Sequence, residues 1–208
     1  MKIRQESVFL SDFDHNANIE GAAYVMTDET LYRRYLTGEE QAANILVERY
    51  GDALILYING YLQDFHNAED LMIEAFSLVF AKERPIDDKG SFKAYLYKTA
   101  RHLAFRHRHK HRFLFVQLEK LEFELQSDSF VDTQLLQDEK RRQLYAALEK
   151  LKTEYREALY LVYFEDMSYQ SAAAVMGKSE YAITNLVHRG KQRLKTILEQ
   201  EGFTYADE

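Results

Sequence analysis

The residues best suited to chemistry in this chain lie between positions 184 and 195. Thr184, Asn185, His188, Arg189 and Gln192 recur at the spacing that places side chains on one face of a helix, and Lys191, Arg193 and Lys195 follow closely. These are types that read and hold nucleic acid. Arg reaches guanine edges bidentately, Asn and Gln reach adenine, and Lys neutralises phosphate. Ile183, Leu186, Val187, Gly190, Leu194 and Ile197 take the opposite, inward face. Upstream, Ser168 is placed to cap a short helix through Met176, in which Ala172, Ala173 and Met176 are small or apolar. Gly177 supplies a left-handed stop, and Ser179 caps again. Two helices joined by a short Gly-containing turn make the helix-turn-helix pattern. A solvated face on an ordinary helical hairpin accounts for the same residues, and pattern alone does not separate the two readings.

A second cationic stretch lies nearer the middle. Lys93, Lys98, Arg101, Arg106, Arg108, Lys110 and Arg112 give seven cations and no acid between positions 93 and 112. Tyr95, Tyr97, Phe105 and Phe113 are interleaved with them, although the helical stripe assigns Tyr95 to a core. Cations with aromatic stacking surface suit unpaired nucleic acid. His107 and His111 would share a helical face, as a metal pair does, but they alternate with Arg and Lys and have no carboxylate nearby. Histidines adding to a nucleic-acid surface is the simpler reading, so no metal and no cofactor is expected.

Helices are the elements that must position these groups. Pro occurs once, at Pro85, and Gly eight times, too few turn residues for a sandwich or barrel. Thr37-Gly-Glu-Glu40 reads as a capping box, followed by Ala42, Ala43, Ile45, Leu46, Tyr50, Leu54, Ile55, Ile58 and Tyr61 at helical spacing. Asn67 can cap the next helix, with Ala68, Leu71, Met72, Ala75, Phe76, Val79 and Phe80 inward and Asp70, Glu74 and Ser77 outward. Pro85 must end that helix, and Asp87–Gly90 reads as a loop. Ser91 starts a third helix, with Phe92, Tyr95, Leu96, Thr99 and Leu103 buried. Further on, Leu144, Leu148 and Leu151 make one short helix. Thr153 can cap another, with Tyr155, Ala158, Leu159, Val162 and Tyr163 inward, and Glu165-Asp166-Met167 is a turn. The expected fold is all-α: two small helical domains joined by an acidic linker. The boundaries are an unassigned extension over 1–26, a helical domain over 27–112, a linker over 113–140 and a helix-turn-helix domain over 141–208.

The net charge of −7 speaks against nucleic-acid binding only if it is spread evenly, and it is not. Positions 113–139 carry seven acids against Lys120 alone, directly after the cationic stretch. With no Cys, disulfides and thiolate metal sites are excluded. No apolar run suits a membrane span or a signal peptide, so a cytoplasmic location is expected. No phosphate-binding glycine loop, nucleophile motif or metal-ligand spacing is present, which leaves no support for an enzyme.

At this point the sequence resembles a known family, the extracytoplasmic-function RNA polymerase sigma factors. Gly177–Lys195, with its serine cap, apolar Ile183 and His188-Arg189 pair before a basic tail, resembles their region four. Leu151–Leu159 through Met167-Ser168 resembles that region's first helices. Asn67–Phe76 and Phe92–Ala104 resemble the region-two signature and the segment after it. The resemblance covers roughly 30–112 and 141–199. It departs at Asn67, Ile73, Tyr95, His102, Ser171–Ala173, Ala182 and Thr184, so promoter preference does not carry over.

What the resemblance implies is a division of labour. Asp70 and Glu74, with Ile73 between them, would meet core RNA polymerase at the clamp coiled coil of its largest subunit. The flap of the second-largest subunit would be a further contact. Lys93, Tyr97, Lys98, Arg101, His102, Arg106, Arg108, Lys110 and Arg112 would serve the proximal promoter element and its opening. Thr184, Asn185, His188, Arg189, Lys191, Gln192, Arg193 and Lys195 would bind the distal element. An anti-sigma factor is an expected further partner. The rival is a helix-turn-helix regulator that does not bind core polymerase; it explains the C-terminal pattern equally well but leaves the motifs over 67–105 without a role.

Overall fold

A computed structural model of the chain describes residues 26–82, 91–118, 144 and 146–201, with side chains described outside 111–118. Every regular element among them is helical, as expected. The described residues divide into two compact units, one within 26–133 and one within 134–208.

The first unit has four helices: α1 (Asp28–Leu36), α2 (Glu40–Leu62), α3 (Phe65–Phe80) and α4 (Phe92–Leu118). Helix α1 was not anticipated from the pattern. Thr27 caps it, accepting from the Thr30 amide at 3.3 Å, and Leu31 and Tyr32 anchor it in the core. Asp28 is held by Arg49 and the Tyr50 hydroxyl on α2. Helix α2 packs against α1, α3 and α4 and is the centre of the unit. Leu46, Leu54 and Ile58 on α2, Ala68, Ala75 and Val79 on α3, and Phe92, Leu96, Tyr97 and Leu103 on α4 are all fully or almost fully buried. Each large side chain so buried stabilises by about 1.5–3 kcal/mol.

Three expected caps are corrected. Thr37 does not open α2. It closes α1, its hydroxyl donating to the Arg34 carbonyl at 2.8 Å, and Gly38 takes a φ of 96° that only glycine adopts easily. Glu39 stands at the α2 N-cap without a side-chain cap bond; its carboxylate instead grips Arg34 at 2.5 and 2.6 Å. Asn67 is not the cap of α3. Asp64 is, accepting from the Asn67 amide at 3.0 Å, so the helix starts at Phe65. Thr153 is the first helical residue of its helix rather than its cap. Ser91 does cap α4, accepting from the Ala94 amide at 3.1 Å. That helix runs to Leu118, past the expected boundary at 112. The Asp87–Gly90 loop, residues 1–25 and the acidic stretch beyond 118 lie outside the described residues.

The second unit comprises a helical turn over 146–149, α5 (Thr153–Leu159), a wider π-helical turn (Tyr160–Phe164), α6 (Tyr169–Met176) and α7 (Glu180–Gln200). Leu144, Ala147, Leu148 and Leu151 are buried at its start. The π turn changes which residues face in. Its Glu165 amide reaches back five residues to the Tyr160 carbonyl at 3.1 Å. The extra residue rotates the chain, so Tyr160 and Leu161 are buried while Val162 and Tyr163 are only half-buried. A uniform 3.6-residue period cannot reveal such a shift. The turn over 165–167 forms as expected, with Asp166 at a φ of 48°.

Candidate nucleic-acid interface and partner face

Local chemistry builds the C-terminal pair of helices as the sequence suggested. Ser168 caps α6 by accepting from the Ser171 amide at 3.0 Å. Gly177 ends it in the left-handed conformation, φ 64° and ψ 38°. Ser179 caps α7 by accepting from the Ala182 amide at 3.2 Å. Helix α7 then packs on α5 and α6 through Ile183, Val187, Gly190, Leu194, Ile197 and Leu198. Gly190 allows the closest approach: a Cβ there would lie 3.2 Å from Leu159 Cγ and Cδ1 and 3.3 Å from Tyr155 Cβ. The packing fixes the rotation of α7 and therefore what it shows to solvent.

Of the residues expected to meet the distal element, Thr184, Asn185, His188, Arg189, Gln192, Arg193 and Lys195 are exposed. The Thr184 hydroxyl is turned back onto the Glu180 carbonyl at 3.1 Å. Lys195 lies 3.9 Å from Glu199, an exposed pair of little energetic weight. Lys191 is the exception. It is half-buried, with its ammonium 5.4 Å from the centre of the Tyr163 ring. Burial, reinforced by Tyr163, pushes the neighbouring Tyr169 phenol above its usual pKa, while the Lys191 charge opposes that rise. Lys191 thus packs on an aromatic residue of its own unit, Tyr163 of the π turn. At the start of α7, Lys152, Lys178, Tyr181, Asn185 and Arg189 line an open groove of about 410 Å³. Lys178 is steadied there by Glu154 at 2.8 Å.

In the first unit, Lys98, His102, Arg106, Arg108 and Lys110 are exposed along α4. Arg101 is half-buried, its guanidinium 4.6 Å from the Phe105 ring centre, and Tyr61 packs on the same ring at 5.3 Å. Lys93 lies over Tyr50 at 5.4 Å. Tyr97 is corrected: it is fully buried, 5.0 Å from the Tyr57 ring, and offers nothing to a base. Tyr95, assigned to the core, is half-buried with Lys82 over its ring at 4.9 Å. Among the described aromatics of this stretch, Phe105 is the one at the surface, 41% exposed. The side chains of His111, Arg112 and Phe113 lie outside those described, and with them the His107–His111 pairing.

Helix α3 turns a different surface outward. Asp70 is exposed and Ile73 is 60% exposed, large for an apolar side chain. Glu74 is partly exposed and pairs with Arg106 of α4 at 2.5 Å. Leu78 is also exposed on α3, about 140° around the helix from Ile73. One bond therefore joins a residue expected to hold polymerase and one expected to hold DNA.

Comparison with known families and proteins follows the same division. The family described as Sigma-70 region 2 matches residues 46–113, and Sigma-70 region 4 matches residues 141–194, together more than half the chain. The extracytoplasmic-function RNA polymerase sigma factor SigX of Bacillus subtilis is 25% identical over 166 residues, 77% of this chain and 85% of that protein. SigM of the same organism is 26% identical over 152 residues, 73% of this chain and 92% of that protein. Among solved structures, the sigma factor RpoE of Bartonella quintana, in complex with the anti-sigma factor NepR, matches with a TM-score of 0.60 at 22% identity, covering 75% of this chain and 96% of that one. That likeness concerns the fold.

Proposed function

The chain belongs to the extracytoplasmic-function RNA polymerase sigma factors, and from this premise we propose how its surfaces divide the work of starting transcription. The observation that carries the proposal is the order of two family regions, each on its own helical unit with its own cationic face. Helix α3 binds core polymerase through Asp70, Ile73 and Glu74, the acids meeting basic residues and Ile73 an apolar pocket. The clamp coiled coil of the largest subunit is the docking point, with a second contact at the flap of the second-largest. Helix α4 holds the proximal promoter element. Lys98, Arg101, Arg106, Arg108 and Lys110 neutralise its phosphates, while Phe105 with the Arg101 plane offers stacking surface to unpaired bases. Helix α7 enters the major groove at the distal element, its early exposed residues at the base edges and its later cations on the backbone.

No catalytic residue is needed, because sigma factors position polymerase and stabilise open DNA. Work of this kind belongs in the cytoplasm, and none of the described helices is long and apolar enough to cross a membrane. An anti-sigma factor that covers one of these faces would silence the chain, as a partner of this class is bound to the Bartonella quintana protein. A DNA-binding regulator without polymerase would leave the match over 46–113 without a role.

The test is transcription in vitro with core polymerase on a genomic library, with start sites mapped. Discrete start sites that depend on the chain, and share two spaced elements upstream, are expected. A chain that neither binds core polymerase nor directs any specific transcript would overturn the proposal.

A further inference from the structure

We infer that Tyr181 is a base-reading residue of the distal element, and that it reads a thymine through the C5 methyl group. The inference rests on the DNA-binding role proposed for α7 and adds a residue and a substrate feature to it.

The rotation of α7 leads to Tyr181. Ile183, Val187, Gly190 and Leu194 are buried and define its inward direction. Successive residues turn by about 100° in an α-helix. Directly opposite that inward direction stand Tyr181, Asn185, His188 and Gln192. Their spacing of four, three and four residues is that of one straight stripe. The outermost line of the helix therefore begins at Tyr181, one turn before Asn185. Ser179 caps the helix two residues earlier, so Tyr181 projects from a secured first turn. The early residues of a recognition helix are those that meet base edges.

Exposure and charge point to the same partner. Tyr181 is 78% exposed, the most exposed large apolar side chain among the described residues. Between Tyr181 and Leu198 the helix carries Arg189, Lys191, Arg193 and Lys195 and no acid. Lys152 and Lys178 line the same groove as Tyr181, Asn185 and Arg189. Glu154 lines the same groove and pairs with Lys178, and Glu180 begins the helix, so the cations left to a polyanion laid along α7 are Lys152 beside the ring and Arg189 with those that follow it. A phenol ring cannot supply the bidentate donors that read guanine. In the major groove its apolar face suits the feature that thymine alone presents, the methyl group.

The experiment uses the full chain assembled with core polymerase. Duplexes carry the distal element selected by that holoenzyme, with each thymine replaced in turn by uracil, which keeps the pairing and removes only the methyl. At one position the uracil should weaken binding by the wild-type holoenzyme roughly fourfold, the worth of one buried methyl group. Tyr181→Ala should lose the same factor on the thymine duplex and be indifferent to uracil there, whereas Tyr181→Phe should retain the sensitivity. Unchanged thermal unfolding of Tyr181→Ala would show that the loss is not one of folding, as its exposure leads one to expect. The inference is overturned if no thymine methyl is felt by the wild type and ignored by Tyr181→Ala. It is equally overturned if Tyr181→Ala weakens selected and scrambled elements alike, which would make Tyr181 a backbone contact. If the wild-type holoenzyme itself fails to distinguish selected from scrambled elements, the distal-element role of α7 fails, and the reading by Tyr181 fails with it.

Discussion

Arg189 and Lys195 stand almost two turns apart on α7 and should fail in different ways. Arg189 is exposed beside the groove at the start of the helix, near Asn185. Arg189→Ala is expected to cost roughly 1–3 kcal/mol on the selected distal element and to blur one base position. Lys195 lies further along, and its 3.9 Å contact with Glu199 does not immobilise it. Lys195→Ala should weaken all sequences alike and lower the salt slope by about one. A salt series on matched and scrambled duplexes distinguishes the two; an Arg189 variant that loses equally on both would make that residue a phosphate contact. Residue types and helical spacing were enough to nominate most of this face. They were not enough for Lys191, which looked like its neighbours in sequence but lies on Tyr163. Tyr97 failed for a related reason. Whether an aromatic next to a buried stripe faces in or out depends on how much room the neighbouring helices leave, and here Tyr57 of α2 packs against Tyr97.

Helix ends carry the next set of expectations. Asp64 caps α3, and the Asn67 backbone amide, chief among several donors, holds its carboxylate below the usual pKa. Asp64→Ala should lower the stability of the unit by about 1 kcal/mol, the ordinary worth of a cap. The sign of the pH dependence follows from the depressed pKa. The contribution is complete above the unfolded carboxylate value of about 3.9 and fades as the pH falls below it through the folded value. Urea unfolding of wild type and Asp64→Ala at neutral pH and near pH 3 should therefore show the gap shrinking; a constant gap would remove the charge from the cap. On α7, Gly190→Ala gains helix propensity of about 1 kcal/mol but drives a methyl to 3.2 Å from Leu159, which is fully enclosed. Overpacking of this kind costs roughly 1–3 kcal/mol, so a net loss of about 1 kcal/mol is expected in urea unfolding. A variant about 1 kcal/mol more stable than wild type would mean that α5 and α7 can make room without cost. Ser91, Ser168, Gly177 and Ser179 were legible as ends because each acts on amides or dihedrals within its own turn. Thr37 and Asn67 misled because a better acceptor or a preceding helix stood within three residues.

At the scale of the molecule, the proposed function asks one chain to meet polymerase and DNA through different faces. Asp70→Lys with Glu74→Lys should weaken core binding at least tenfold if α3 docks there, because two attractions become repulsions. Glu74 also pairs with Arg106, so the double variant sets a cation against Arg106 and disturbs α4. Asp70→Lys alone leaves that pair intact and should still weaken core binding, with unfolding unchanged within about 0.5 kcal/mol. Undiminished core affinity in Asp70→Lys would remove this face from the interface. The sequence by itself determined the helical class, the apolar stripes of α2, α3 and α4 apart from Ile45, Tyr95 and Tyr97, the caps around α6 and α7 and the two motif regions in their order, because periodicity, turn chemistry and motifs are written in neighbouring residues. Only the tertiary structure decided that α1 closes the first unit, that a π turn rotates Tyr160 and Leu161 inward, and that Arg106 is engaged by Glu74. It also left Tyr181 the most exposed large hydrophobic side chain at the start of α7. These depend on which helix packs against which and at what rotation, a balance of contacts among residues far apart in the chain that no local spacing records.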